Sequence, residues 1–297
     1  MLPDKVKIVE VGPRDGLQNE KCFLDYKIKT EFIDKLTLSG LTNIEVGSFV
    51  AAKSIPQLAD TNMVLDNISR KAETTYSVLV PNQQGMLKAL DSHPDVVSVF
   101  TAVSESFCRR NINCSIDESL ERFKSVFNLA KNNGIPVRGY ISCVLGCPYE
   151  GKIDFSRTLE LAQELLKAGC YEISLGDTIG IGTAKEVQQL INILTKKINV
   201  DQLAVHFHDT YGQALVNVYT ALLMGITTVD SAAAGLGGCP YAHGASGNLA
   251  TEDLLYMLNG LEIETGVDLN QVIAAGHFIA DKLGINPRSK VSLVYQT

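Results

Sequence analysis

Eight short apolar runs recur along the chain, at 6–11, 43–49, 74–80, 96–103, 137–144, 172–175, 203–208 and 227–232. Runs of this length, bounded by turn residues, read as buried strands. The stretches between them repeat their apolar residues every three to four positions, the spacing of amphipathic helices. In "TLELAQELLKAG", Leu159, Ala162, Leu165 and Leu166 form one stripe that stops at Gly169. A glycine there suits the left-handed residue that closes a helix. "SIDESLERFKSVFNLAKNNG" opens with Ser115, has Glu118 three residues on, and closes at Gly134. That pairing predicts a reciprocal cap in which side chains satisfy free backbone N–H groups.

Eight strand–helix units within about 250 residues predict an α/β fold, a closed (β/α)8 TIM barrel. A doubly wound open sheet is the competing architecture, but it calls for a glycine-rich phosphate turn after its first strand. Here that turn reads "EVGPRDG", with proline and charge. A further helical pattern at 269–284 lies beyond the eighth unit and is expected to pack on the barrel as an extension. No linker or repeat divides the chain. The expectation is one domain over 1–297, with the barrel at about 5–260 and the extension at about 261–297.

Composition narrows the function classes. The 297 residues are 45% hydrophobic and 20% charged, ordinary for a globular protein. A net charge of −7 argues against a sequence-independent grip on nucleic acid, though a local basic cluster would still hold an anionic small molecule. No apolar stretch is long enough to span a bilayer. The first residues show neither signal nor transit character, so the cytoplasm is the expected compartment. Seven scattered cysteines, an odd number, are expected to be reduced and mostly buried.

Alternation then sorts the polar residues within strands. In "LAVHFHD", Leu203, Val205 and Phe207 share one face, while Ala204, His206 and His208 share the other. With the apolar face on the outer helices, both imidazoles point into the barrel near the strand's C-terminal end, where such barrels keep their active sites. Two histidines there suit one metal ion. The same rule sends Glu45 inward and places Arg138, Tyr140 and Ser142 on one face. It also separates Glu10 from Val9 and Val11, and Glu10 is expected among the inward residues; Arg138 is expected to pair with Glu10 or Glu45. Past the first strand, Arg14 and Asp15 sit in a turn shaped by Pro13 and Gly16. Asp15 is the natural oxygen ligand to join the histidines, and a nitrogen/oxygen set without thiolate suits Mg²⁺ or Mn²⁺. After the eighth strand, "AGLGGCPYAHGASGNLATEDL" sets Cys239 in a glycine-rich loop, where a thiol above a cationic site is a candidate acid or nucleophile. Asn248, at the loop's end, offers another oxygen ligand.

The long motifs carry a resemblance. "VGPRDGLQNEK" (11–21), "NINCSI" (111–116), "VRGYISCVLGCPYEGKI" (137–153), "SLGDTIGIGT" (174–183), "AVHFHDTYGQAL" (204–215) and "GLGGCPYAHGASGNLATEDL" (235–254) resemble those of the 3-hydroxy-3-methylglutaryl-CoA (HMG-CoA) lyases. These belong to the wider group of metal-dependent barrel lyases and Claisen-type synthases. The resemblance implies retro-Claisen cleavage of HMG-CoA to acetyl-CoA and acetoacetate, a chemistry of leucine degradation and ketone-body formation. It implies a divalent ion, Mg²⁺ or Mn²⁺, on Asp15, His206, His208 and Asn248. By the same likeness Arg14 stabilises the enolate oxygen, Cys239 protonates the acetyl-CoA carbanion, and either Asp15 or His206 takes the hydroxyl proton. Arg14, Gln18, Lys21, Glu45 and Asp177 are the expected substrate-binding positions. The implied assembly is a homodimer acting on an acyl-CoA, with no nucleic acid or membrane partner. Gly47 stands where the family has threonine, and "DSAAAGLGG" has alanines where serine and valine are common. Extra space near Gly47 and Ala232 would admit a longer branched 3-hydroxyglutaryl-CoA, the alternative substrate. A Claisen-type synthase and a metal-stabilised binding protein are the remaining alternatives.

Overall fold

The computed structural model describes residues 1–237 and 247–295. Eight parallel strands close into a barrel in chain order. They are β1 (Lys7–Glu10), β2 (Asn43–Ser48), β3 (Thr75–Leu79), β4 (Val96–Ala102), β5 (Val137–Ser142), β6 (Cys170–Asp177), β7 (Leu203–Phe207) and β8 (Thr228–Ser231). Between them run α1 (Tyr26–Leu38), α2 (Thr61–Asn67), α3 (Gln83–Asp91), α4 (Glu105–Ile112), α5 (Ile116–Asn132), α6 (Phe155–Ala168), α7 (Ala184–Leu194) and α8 (Ala214–Leu223). The helices α9 (Thr251–Gly260), α10 (Leu269–Leu283) and α11 (Lys290–Val294) follow β8. The chain is therefore a (β/α)8 TIM barrel with C-terminal helices, as the eight-unit pattern predicts. The open-sheet alternative falls because β1 and β8 pair with each other.

Local signals hold as read. Ser115 and Glu118 form the reciprocal cap of α5, and Gly169 closes α6 at φ 126°. The fourth unit differs in carrying two helices, because Asn113 turns left-handed at φ 51° and Ser115 starts a new cap. The six described cysteines are free thiols, and all but Cys22 are buried. Among the described residues, no helix is long and apolar enough to cross a membrane.

The barrel interior carries charge where such barrels commonly stack branched apolar side chains. Lys7 Nζ donates to Glu172 Oε2 at 2.7 Å, and Arg138 Nε to Glu172 Oε1 at 2.7 Å. Arg138 also holds Asp230 through Nη1 at 3.1 Å and Nη2 at 2.8 Å. The expected pairing of Arg138 with Glu10 or Glu45 is thus replaced by Glu172 and Asp230. Glu10 itself corrects the inward expectation. In β1 it is Lys7 that reaches across the barrel, so Glu10, three residues on, faces outward. It pairs in register with Ser231 and bonds Thr251 at the start of α9.

Candidate active site

The site is built where β1 ends. Val11 O accepts hydrogen bonds from Arg14 N at 3.1 Å, Asp15 N at 2.7 Å and Gly16 N at 3.1 Å. The last of these closes one π-helical turn over Gly12–Gly16. Such turns are rare and concentrate at functional sites. Gly16 is required by close approach, since a Cβ there would lie 2.7 Å from Leu236 Cβ. The turn sets Arg14 and Asp15 over the barrel mouth, beside His206 and His208 of the seventh unit.

Asp15, His206 and His208 each offer a ligand atom, and these atoms lie within 4.8 Å of one another. His206 Nε2 stands 3.7 Å from Asp15 Oδ2. Burial opposes ionisation of Asp15, but Arg14, both histidines and a hydrogen bond from Asn248 outweigh it and hold the carboxyl at about 2. Burial pushes His208 down to about 4, and His206 adds to the effect. An ionised carboxylate beside a neutral imidazole is the protonation state that metal binding needs. His208 Nδ1 is buried without a hydrogen-bond partner, an orphan that a cation would satisfy. The donors therefore fit a divalent metal ion.

Asn248 joins the cluster through an isolated bridge opposite His208. Its Nδ2 donates to Asp15 Oδ2 at 2.9 Å and to Leu236 O at 3.1 Å. The amide nitrogen, and not the expected oxygen, faces Asp15, so Asn248 becomes a ligand only with its amide turned over.

Arg14 is held on two sides. Its Nε donates to Glu45 Oε2 at 2.5 Å, its Nη1 to Asp15 Oδ1 at 2.5 Å, and its guanidinium lies 5.3 Å from the Tyr140 ring centre. Burial opposes the charge, but Glu45 and Asp15 outweigh it and push the guanidinium pKa up. This is a fixed cation. Tyr140 links the parts, accepting from Arg138 Nη1 at 2.8 Å and donating to Glu45 Oε2 at 3.3 Å.

A cavity of about 550 Å³ reaches from Arg14, Asp15, His206 and His208, past Phe100 and Phe107, to Asn111, Asn113 and Arg122 at the α4–α5 junction. Gln18 lines it and donates to Asp15 Oδ1 at 2.9 Å. Three other expected substrate contacts do not line the described cavity. Lys21 is exposed and outside the described lining. Glu45 is fully buried beneath Arg14. Asp177 shares register with outward-facing Phe207 and accepts from Gly182 N at 2.9 Å, while burial pushes its carboxyl up to about 6. Cys239 lies outside the described residues.

The space expected near Gly47 is filled. A Cβ on Gly47 would meet Thr61 Oγ1 at 2.5 Å, and Thr61 Oγ1 accepts from Ser48 N at 3.1 Å. Ala232 is fully buried, and neither residue lines the described cavity. Sequence reasoning passed over Asp230, Lys7, Glu172 and Ser174. The alternation that exposed the H-x-H pair would also have marked Thr228 and Asp230 in "TTVDSA" as inward.

The HMGL-like family matches residues 5–279. Over 291 residues the chain is 54% identical to a Rattus norvegicus protein named 3-hydroxy-3-methylglutaryl-CoA lyase, cytoplasmic, with 98% of this chain and 85% of that one covered. It is 53% identical over 291 residues to a Pseudomonas aeruginosa protein named 3-hydroxy-3-isohexenylglutaryl-CoA/hydroxy-methylglutaryl-CoA lyase, with 98% and 97% covered. The crystal structure of hydroxymethylglutaryl-CoA lyase from Pseudomonas aeruginosa superposes with a TM-score of 0.97 at 52% identity, covering 99% of this chain and 98% of the other.

Proposed function

The chain belongs to the HMGL-like family, and on that premise we propose that it cleaves HMG-CoA to acetyl-CoA and acetoacetate. The observation that carries the proposal is the convergence of Asp15, His206 and His208 within 4.8 Å, with Arg14 bonded to Asp15. Asp15, His206, His208 and Asn248 would hold a divalent ion, Mg²⁺ or Mn²⁺, which when bound lowers the pKa of the substrate's tertiary hydroxyl. Asp15 or His206 takes the hydroxyl proton. The oxygen's electron pair forms the new ketone, and the bond between C2 and C3 breaks. Its electrons pass into the thioester as an enolate, where the Arg14 guanidinium stabilises the developing charge. Cys239 gives a proton to C2 and completes acetyl-CoA. Gln18 braces Asp15, and the cavity toward Asn111 and Arg122 takes the coenzyme A arm.

The name of the Pseudomonas aeruginosa relative favours a second reading, a longer branched 3-hydroxyglutaryl-CoA as an additional substrate. The same proposal takes 1–297 as one lyase domain acting in the cytoplasm; related proteins carry both cytoplasmic and mitochondrial names. It also takes the chain as a homodimer. Val216, Tyr219 and Leu223, exposed at helical spacing on α8, offer an apolar face suited to a second copy.

The test is chelator-treated protein incubated with HMG-CoA, with and without Mg²⁺ or Mn²⁺, followed by assay of acetoacetate. Metal-dependent acetoacetate is expected. Its absence from metal-loaded, folded protein would overturn the proposal, and 3-hydroxy-3-isohexenylglutaryl-CoA in parallel separates the two substrates.

A further inference from the structure

Two carboxylates, Glu10 and Glu252, are fully buried at the rim of the barrel, and every hydrogen bond described for them comes from a backbone N–H or a hydroxyl. A buried carboxylate without a cation is costly, so its retention calls for a reason. For Glu10 the contacts supply one. Its Oε1 accepts from Gly12 N at 2.8 Å and from Ala233 N at 2.9 Å. Gly12 opens the turn that carries Arg14 and Asp15, whereas Ala233 begins the segment leaving β8. One oxygen thus joins the roots of two separate parts of the site. Oε2 is fixed by Thr251 Oγ1 at 2.6 Å, which in turn meets Ser231 Oγ at 2.8 Å.

The segment pinned at Ala233 packs on the turn and meets Asn248 through Leu236 O. A Cβ on Gly12 would lie 2.5 Å from Glu10 Oε1, so only glycine lets the carboxylate this close. A Cβ on Gly237 would meet Asn248 Nδ2 at 2.7 Å and Gly16 Cα at 3.3 Å. Leu236 O accepts from Asn248 Nδ2, the same atom that donates to Asp15 Oδ2. Ala234 adopts a left-handed φ of 58°, its N–H held by both oxygens of Glu252 and its carbonyl by Arg288 N at 2.8 Å. The segment is constrained at each step between Glu10 and Asn248.

We propose that Glu10 is a positioning residue that holds the Arg14–Asp15 turn in register with the 233–237 segment and so sets Asn248 against Asp15. Burial pushes the Glu10 carboxyl up to about 7, so an uncharged replacement of the same shape is tolerated at the site. Glutamine keeps an acceptor oxygen for the two N–H groups, and its amide can donate to the Thr251 hydroxyl. Alanine removes all three contacts. The metal-binding part of the inference stands on geometry alone; the kinetic part rests on the lyase reading.

The experiment compares wild type with Glu10→Gln, Glu10→Ala and Val187→Ala. The last trims a buried side chain of α7 that does not line the cavity, and serves as a stability control. Mn²⁺ affinity is measured by calorimetry, with kcat and KM for HMG-CoA. Displacing catalytic groups by about an ångström costs on the order of 10²-fold in rate. Glu10→Ala is expected to lose kcat by about 10- to 100-fold at nearly constant KM and to bind Mn²⁺ about tenfold more weakly. Glu10→Gln and the Val187 variant should stay near wild type in both. Should Glu10→Ala not fold, Thr251→Val, which releases Oε2, is expected to show the same split at smaller amplitude. Unchanged Mn²⁺ affinity and kcat in folded Glu10→Ala, or in Thr251→Val where it substitutes, would overturn the inference. So would a Glu10→Gln protein as impaired as the alanine variant. Wild type that binds Mn²⁺ but cleaves no HMG-CoA would instead defeat the lyase reading, with the affinity comparison still deciding the role of Glu10.

Discussion

His206 Nδ1 lies 3.3 Å from Asp230 Oδ2, an oxygen that also accepts from Ser174 Oγ at 2.8 Å and Arg138 Nη1 at 3.1 Å. A carboxylate oxygen only accepts, so the contact requires the proton on His206 Nδ1, and in that tautomer the Nε2 lone pair faces Asp15. Asp230→Asn is expected to weaken Mn²⁺ binding by about 10- to 100-fold, the usual cost of losing a carboxylate behind a ligating histidine. It also leaves Arg138 half-paired in the barrel, at a cost of about 3–5 kcal/mol. Calorimetric titration with Mn²⁺, read beside a melting curve, checks both. Unaltered affinity would mean that the pair is structural only.

Arg14 is clamped by Glu45 and Asp15, so its guanidinium fork matters as much as its charge. Arg14→Lys should lower kcat by about 10²–10³-fold, the scale seen when one stabiliser of an oxyanion is lost. Steady-state kinetics with HMG-CoA provides the measurement. A kcat near wild type would remove Arg14 from the enolate role.

Gly47→Thr, the residue that the resemblance led one to expect here, is expected to destabilise this chain. The new Cβ would sit 2.5 Å from Thr61 Oγ1, and such overpacking costs about 1–3 kcal/mol. Adding Thr61→Ala should recover part of the loss, a coupling that denaturant melts of the single and double variants would reveal. Additive losses would show that the two positions do not share the space.

Glu252 gives stability a pH dependence. Burial raises its carboxyl from 4.5 to about 8, with Glu10 adding repulsion. Between those values the folded state holds a proton that the unfolded chain has released, so this contribution falls as pH rises. His208, pushed down to about 4, acts in the opposite sense up to its ordinary 6.5. Comparing wild type with Glu252→Gln at each pH separates the two. The variant should gain on wild type by a few kcal/mol, roughly, from pH 4.5 to 8. A constant difference across that range would refute the assignment.

The barrel was legible in the chain because its signals are local. Strand length, helical spacing, the Ser115–Glu118 cap and the Gly169 stop each depend on neighbouring residues alone, and eight such units leave few ways to close a sheet. Alternation within one strand was enough to aim His206 and His208 at the same point, and a proline–glycine turn was enough to mark Arg14 and Asp15. Partners across the barrel were not legible. Arg138 meets Glu172 on the next strand and Asp230 three strands away, a choice set by strand register and side-chain reach. Glu10 reads inward until the Lys7–Glu172 contact shows which parity of β1 faces the core. Gly47 reads as added space until α2 brings Thr61 against it. Residue types and their local periods determined the fold and the chemistry at hand; closure of the barrel, through packing between distant segments, decided which charges meet and which carboxylate ties the site together.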